Sequence, residues 1–257
     1  MLLLNRVEKH GHIFFKYRGQ FPVIIFLFLI PFLYFLPSNI SEFHKQIWIL
    51  ISVVLCCLGL LIRFYTIGTT LKGTSGRNRE RQIAESLNSE GIYSIIRHPL
   101  YLGNYFIWLG VSFFTYNIYF LFTVTLLFWL YYGYIIFIEN QFLLKKFGND
   151  YIKWCQSTNI LLPSFANYKR TTIKFSIKSV LRREYPGILA VVIAFTYIDI
   201  LRIFMNIESF EEYYELSSIY SKINPVILYV LIFTLILASV LKLLKKYTNV
   251  LNEKDRS

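Results

Sequence analysis

Two groups of residues in this chain have the types and spacing to do chemistry. The first is Arg97-His98-Pro99, followed at once by Tyr101, Gly103 and Asn104. Pro99 suits the first position of a helix, where its missing N–H costs nothing, and it steers His98 out of the helical region. A helix starting there aims its positive dipole end and its unpaired N–H groups at the basic pair, a setting that receives a carboxylate or a phosphate. The second group centres on Glu139, about forty residues on. Tyr132, Ile136, Glu139 and Leu143 fall at steps of four, three and four, so they share one helical face. An acid on an apolar face at a membrane border is paired, protonated or functional. Each group also has a plainer reading. Arg97 and His98 fit positive-inside topology, and Glu139 fits a loose surface pair with Lys145 or Lys146 that is worth little.

The elements that must position these groups follow from composition. The chain has 257 residues, 55% of them apolar and 19% aromatic, yet its formal charge is +12. Crossing the hydrocarbon core takes about 20 helical residues. Apolar runs that approach this length lie at 21–37, 47–68, 100–116, 118–138, 186–206 and 224–243. The third and fourth are nearly continuous and predict a tight helical hairpin. The expected fold is therefore an all-α polytopic membrane protein with about six transmembrane helices. Lys and Arg placement supports alternation of the loops: of the 27, only Lys45 and Lys222 fall in the opposite loops, and Arg63 and Arg202 lie inside spans. Both termini are expected on the cytoplasmic side. Met1 to Leu4 is too short for a signal-peptide core, so the first apolar run is expected to stay as an anchor. Asp199 and Arg202, one turn apart, are expected to form a local pair near the outer surface.

Other signals narrow the chemistry. Cys56 and Cys57 are adjacent inside a span and Cys155 lies elsewhere, which argues against a disulfide framework. His10, His12, His44 and His98 have no companion cysteine pairs, so no metal-ligand spacing is present. No dinucleotide-binding glycine motif, P-loop or nucleophile elbow occurs. Topology accounts for the positive charge, which speaks against nucleic acid. The loop Lys72-Gly73-Thr74-Ser75-Gly76-Arg77-Asn78-Arg79-Glu80-Arg81 reads equally as a lipid-touching basic loop or as a phosphate site built from flexible glycines and forked arginines. Gly103 and Gly110, seven apart, make one helix face small enough for a ligand or another helix. A transporter or scaffold is the non-enzymatic alternative, but repeated halves and interrupted mid-membrane helices are not evident.

Gly91-x-Tyr93 with Arg97-His98-Pro99-Leu100-Tyr101-Leu102-Gly103, then Glu139-Asn140-Gln141-Phe142-Leu143 and Phe147-Gly148-Asn149-Asp150-Tyr151, resembles the integral-membrane methyltransferases related to isoprenylcysteine carboxyl methyltransferase and the phospholipid N-methyltransferases. Pro163 matches the late proline of that pattern. The likeness covers roughly residues 50–165 and leaves 166–257 as a C-terminal extension with two further spans. More narrowly, Gly73-Thr74-Ser75-Gly76-Arg77-Asn78 with the run from Gly91 to Asn104 is similar to a bacterial branch that methylates a lipid A phosphate.

The resemblance implies transfer of a methyl group from S-adenosylmethionine at the cytoplasmic face of a bacterial inner membrane. It assigns Arg97, His98, Pro99, Tyr101 and Gly103 to one wall of the cofactor pocket and Glu139 with Asn140 to the other. Arg97 and His98 are then the catalytic candidates. In this assignment Arg97 and the Pro99 helix end hold the cofactor's carboxylate, Glu139 holds its ammonium or ribose hydroxyls, and Arg77, Arg79 and Arg81 gather the head group of a lipid acceptor. Asn140 departs from the pattern, which has a second acid there; Asn still accepts a hydrogen bond but carries no charge. An anionic acceptor needs no general base, whereas an amine must lose a proton. The basic loop tilts the expectation towards a lipid phosphate, with prenylcysteine carboxyl methylation and phosphatidylethanolamine N-methylation as alternatives.

Overall fold

The structure is a computed structural model that describes residues 2–34, 40–71, 73–74, 82–205, 223–254 and 256. Among these residues it has nine α-helices and no strand. They are α1 (Leu2–Lys16), α2 (Phe21–Leu27), α3 (Ile30–Tyr34), α4 (Glu42–Gly68), α5 (Pro99–Phe113), α6 (Ile118–Phe147), α7 (Asn149–Ser157), α8 (Ile177–Met205) and α9 (Pro225–Tyr247). Four of them, α4, α6, α8 and α9, are long and apolar enough to cross a bilayer, as befits an integral membrane protein.

Two of the six expected spans are shorter than the hydropathy implied. Over 21–34, the described part of the first run, the chain divides into α2 and α3, of 7 and 5 residues. Pro31 explains the break: it has no N–H to donate and its ring crowds the carbonyl of Leu27, where α2 stops. The chain closes that end tightly, with Phe28 N–H donating to Ile25 at 3.1 Å and Leu29 N–H to Phe26 at 3.3 Å. The other short element is α5. Its 15 residues reach about 22 Å at 1.5 Å each, against about 30 Å of hydrocarbon.

The expected hairpin of α5 and α6 is present. Asn117 caps α6 by accepting from Phe120 N–H at 3.0 Å, while its own amide donates to Phe32 O at 2.6 Å, which fastens α3 to the turn. Arg202 on α8 braces the same tip. It lies over the rings of Phe114 and Tyr116 at 4.3 and 4.4 Å and pairs with Asp199 at 3.3 Å. At the other end α6 runs past the apolar stretch to Phe147 and stops at Gly148, whose φ is 53°.

Gly103 and Gly110 serve helix packing. A Cβ on Gly103 would stand 2.9 Å from the carbonyl of Gly59, and one on Gly110 would stand 2.7 Å from that of Ser52. The backbones of α4 and α5 touch there, which only glycine permits. α8 carries Pro186 in its interior, which deprives the Arg182 carbonyl of its usual donor. Lys245 of α9 reaches that carbonyl at 3.4 Å. The C-terminal residues are thus tied to one another and, through α8, to the core.

Candidate active site

Pro99 opens α5 as the residue type demands, and His98 is left outside the helix at φ −124°, ψ 62°. The approach to it is held from the far side by the segment after α7. Ile96 bridges to Asn159, Arg97 N–H donates to Asn159 O at 2.9 Å, and Ser164 N–H donates to Ile95 O at 3.0 Å. Trp154 on α7 adds an indole N–H bond to Tyr93 O at 2.9 Å. These contacts set the angle at which His98 and Tyr101, one turn apart, face α6.

They meet the second group there. Tyr101 donates its hydroxyl to Glu139 Oε1 at 2.7 Å, and His98 Nδ1 lies 3.5 Å from Glu139 Oε2. The two rings stack at 5.5 Å and 15°. On its other edge His98 Nε2 lies 3.3 Å from Asn140 Oδ1, which also accepts the Tyr151 hydroxyl at 2.7 Å. Both ring nitrogens therefore face oxygens of α6, and His98 is only 7% exposed. Burial raises the Tyr151 hydroxyl above its ordinary range, so it stays a donor at neutral pH.

Asn140 thus supports His98 and does not face the ligand space. Replacing it with leucine removes the oxygen to which the buried Tyr151 hydroxyl donates at 2.7 Å, at a cost of about 1–3 kcal/mol. Asn140→Asp keeps an acceptor oxygen and should retain most of the stability. Thermal unfolding of the two variants in detergent checks this, and equal losses would show that the shared acceptor is unimportant.

A cavity of about 920 Å³ opens beside this cluster. Arg97, His98, Pro99, Tyr101 and Glu139 all line it, as does Asn104. Gly103 does not, because it is turned towards α4, and Asn140 stands behind His98. Arg77, Arg79 and Arg81 lie outside the described residues. Arg97 is more committed to structure than the motif suggests. Its Nε donates to Thr158 O at 2.9 Å and its Nη1 contacts Cys155 Sγ at 3.1 Å, which leaves further N–H groups of the guanidinium.

Four further cavity residues form a polar chain. Arg63 on α4 forms a fork with Glu184 of α8, at 2.7 Å from Nε and 2.9 Å from Nη2. Arg63 also donates to Asn104 Oδ1, and the Asn104 amide donates to the Tyr132 hydroxyl at 3.0 Å. One polar chain so links α8, α4, α5 and α6. Its signal in the sequence is Arg63 itself, a charge inside a span that must find a partner. The identity of that partner, 121 positions away, is a matter of tertiary contact.

A transmembrane helical protein with a polar cluster at the edge of a large cavity is the class that fold and site define. Residues 47–150 match the model of the phospholipid methyltransferase family, a stretch that contains both Arg97 and Glu139. A protein-S-isoprenylcysteine O-methyltransferase from Tribolium castaneum is 30% identical over 141 residues, covering 53% of this chain and 48% of that one. The chain thus spans about half the length of the curated relative it matches. No solved structure matches. Over residues 47–150 the chain is thus similar to integral-membrane methyltransferases.

Proposed function

We propose that this protein transfers a methyl group from S-adenosylmethionine to an anionic oxygen on the head group of a membrane amphiphile, a lipid A-type phosphate first. The observation that carries the reading is the Tyr101–Glu139–His98 cluster on the wall of a cavity rich in arginine. Among the described residues Arg18, Arg63, Arg97 and Arg183 line that cavity against two acids, Glu139 and Glu184. Glu184 is taken by Arg63, so the surplus is positive and favours an anionic guest. A protonated amine acceptor is disfavoured by the same surplus and by the need for a base.

The residues fit the cofactor. A volume of about 920 Å³ lies towards the upper end of the ~300–1,000 Å³ typical of ligand pockets, enough for a cofactor and a head group together. Glu139, oriented by Tyr101, offers a carboxylate to an ammonium or to ribose hydroxyls. Arg97 and the N–H groups at the start of α5 offer donors to a carboxylate. Tyr101, Tyr132 and Trp108 line the cavity with aromatic rings, which suit a sulfonium. When bound, S-adenosylmethionine supplies an electrophilic methyl group, and an anionic oxygen takes it without losing a proton. The chain's task is then alignment and exclusion of water, which buried His98 and the apolar wall serve.

In this reading residues 1–165 form the transfer core, and 166–257 complete the acceptor side. Arg77, Arg79 and Arg81 would gather the head group at the entrance. The Lys and Arg asymmetry supports both termini on the cytoplasmic face, and a lipid A-type acceptor points to a bacterial inner membrane. The relative from Tribolium favours a second acceptor of the same charge, the carboxylate of a prenylated cysteine.

The test uses the full chain in lipid vesicles with methyl-labelled S-adenosylmethionine. Lipid A-type phosphate lipid, farnesylcysteine and phosphatidylethanolamine are offered in parallel. The expected product is a phosphate lipid one methylene heavier; label confined to phosphatidylethanolamine, or in none of the three, would overturn the reading.

A further inference from the structure

α8 forms a wall of the cavity, yet it lies outside residues 47–150, which carry the methyltransferase match. Two adjacent charged residues open that wall. Glu184 is 1% exposed and occupied by Arg63. Arg183 is 5% exposed and lines the cavity together with a polar group contributed by the segment before α5.

That group is Tyr93 with Asn88, both of which also line the cavity. Burial raises the Tyr93 hydroxyl above its ordinary range, and the Arg183 charge opposes the rise, so the two side chains lie within electrostatic reach. Asn88 and Thr70 lie near the same hydroxyl and also oppose the rise. Asn88 is itself steadied by its amide bond to Thr74 O at 3.1 Å. A guanidinium, a phenol held protonated and a carboxamide together offer donors suited to an oxyanion.

Past this point the wall turns apolar. Gly187, Ala190 and Ala194 line the cavity from α8 beside the larger Val191, Ile193 and Tyr197, and Val23, Phe26 and Leu27 of α2 line it as well. Glu184 cannot serve as the anion's partner, and Gly187, one turn on from Arg183, adds no side chain. An amphiphile fits this gradient with its charge at Arg183 and its chain along the alanines.

We propose that Arg183, Tyr93 and Asn88 form the acceptor subsite for an oxyanion head group, phosphate or carboxylate, with the acyl chain laid against Gly187, Ala190 and Ala194. Arg183 is thereby the residue through which the C-terminal helices take part in acceptor selection. The proposal rests on the reaction proposed above, but its test does not need turnover.

Dioctanoyl phosphatidic acid, dioctanoylglycerol and inorganic phosphate are titrated separately into the full-length protein in detergent, with the fluorescence of cavity-lining Trp108 and Trp154 as the signal. The wild type should bind phosphatidic acid at least tenfold more tightly than either partial ligand. Arg183→Gln should cut the preference for phosphatidic acid over dioctanoylglycerol to within twofold. Arg183→Lys, which keeps the charge but not the fork, should retain an intermediate preference. Phosphate binding as tightly as phosphatidic acid would remove the chain corridor. An unchanged preference in Arg183→Gln, or a wild type with none, overturns the subsite even if methyl transfer proceeds. Wild-type preference without any methyl transfer refutes the reaction and leaves the subsite standing. Should Arg183→Gln fail to fold, the wild-type preference and Arg183→Lys still decide, since a lysine variant with full wild-type preference would also deny the guanidinium fork its role.

Discussion

Glu139→Gln protein should bind S-adenosylmethionine at least tenfold more weakly than the wild type while unfolding at nearly the same temperature. The substitution is close to isosteric. The amide still offers an oxygen to Tyr101, whose hydroxyl donates to Glu139 Oε1 at 2.7 Å, so the α5–α6 contact survives. What disappears is the negative charge, on a carboxylate held between a tyrosine hydroxyl and a buried histidine ring. A hydrogen bond to a charged group contributes about 1.5–3 kcal/mol, which corresponds to roughly 10- to 150-fold in affinity. Isothermal titration of the purified protein with S-adenosylmethionine measures it, and thermal unfolding supplies the control. Unchanged affinity would take Glu139 out of the cofactor site. Affinity and stability falling together would make it a structural residue instead.

A second large effect is expected at the Arg63–Glu184 pair. The two side chains are 19% and 1% exposed, and they join two helices that the chain separates by more than a hundred residues. Removing one partner of a buried pair leaves an uncompensated charge, at a cost of about 3–5 kcal/mol. Glu184→Leu and Arg63→Met should each lose stability on that scale. The double variant should recover most of it, because an apolar pair of similar volume carries no desolvation penalty. Recovery will be incomplete, since Asn104 loses the guanidinium it now accepts from. Thermal or denaturant unfolding of the four proteins forms the cycle. If the double variant loses the sum of the single effects, the two residues do not act as a pair.

The contrast between these two sites shows what was legible in the chain. Glu139 declared itself through helical spacing, because an acid among Tyr132, Ile136 and Leu143 breaks an apolar face. His98 and Pro99 declared themselves through backbone chemistry confined to three residues. Asn140 was less legible. Beside Glu139 it looked like a weakened ligand, whereas its oxygen lies behind His98 and accepts from Tyr151. Adjacent positions on a helix point about 100° apart, so neighbours in the motif need not face one space. Gly103 was open for a related reason: small residues admit either a ligand or a helix, and here α4 packs against it. Hydropathy registers apolar length but not the interruption that Pro31 imposes between α2 and α3.

By itself, then, the amino-acid order determined a helical membrane protein, the α5–α6 hairpin, the helix start at Pro99, the stop at Gly148 and two chemical groups at its open end. Each depends on near neighbours: a missing N–H, a cap, a run of apolar side chains, a positive φ. Only the tertiary structure decided that Glu139 meets Tyr101 and His98, that Arg63 belongs to Glu184, and that α8 walls the cavity. Those pairings depend on how each helix is rotated and where it crosses the next. Rotation and crossing are set by the packing of glycines, aromatic rings and buried charges drawn from distant parts of the chain, which no local pattern encodes.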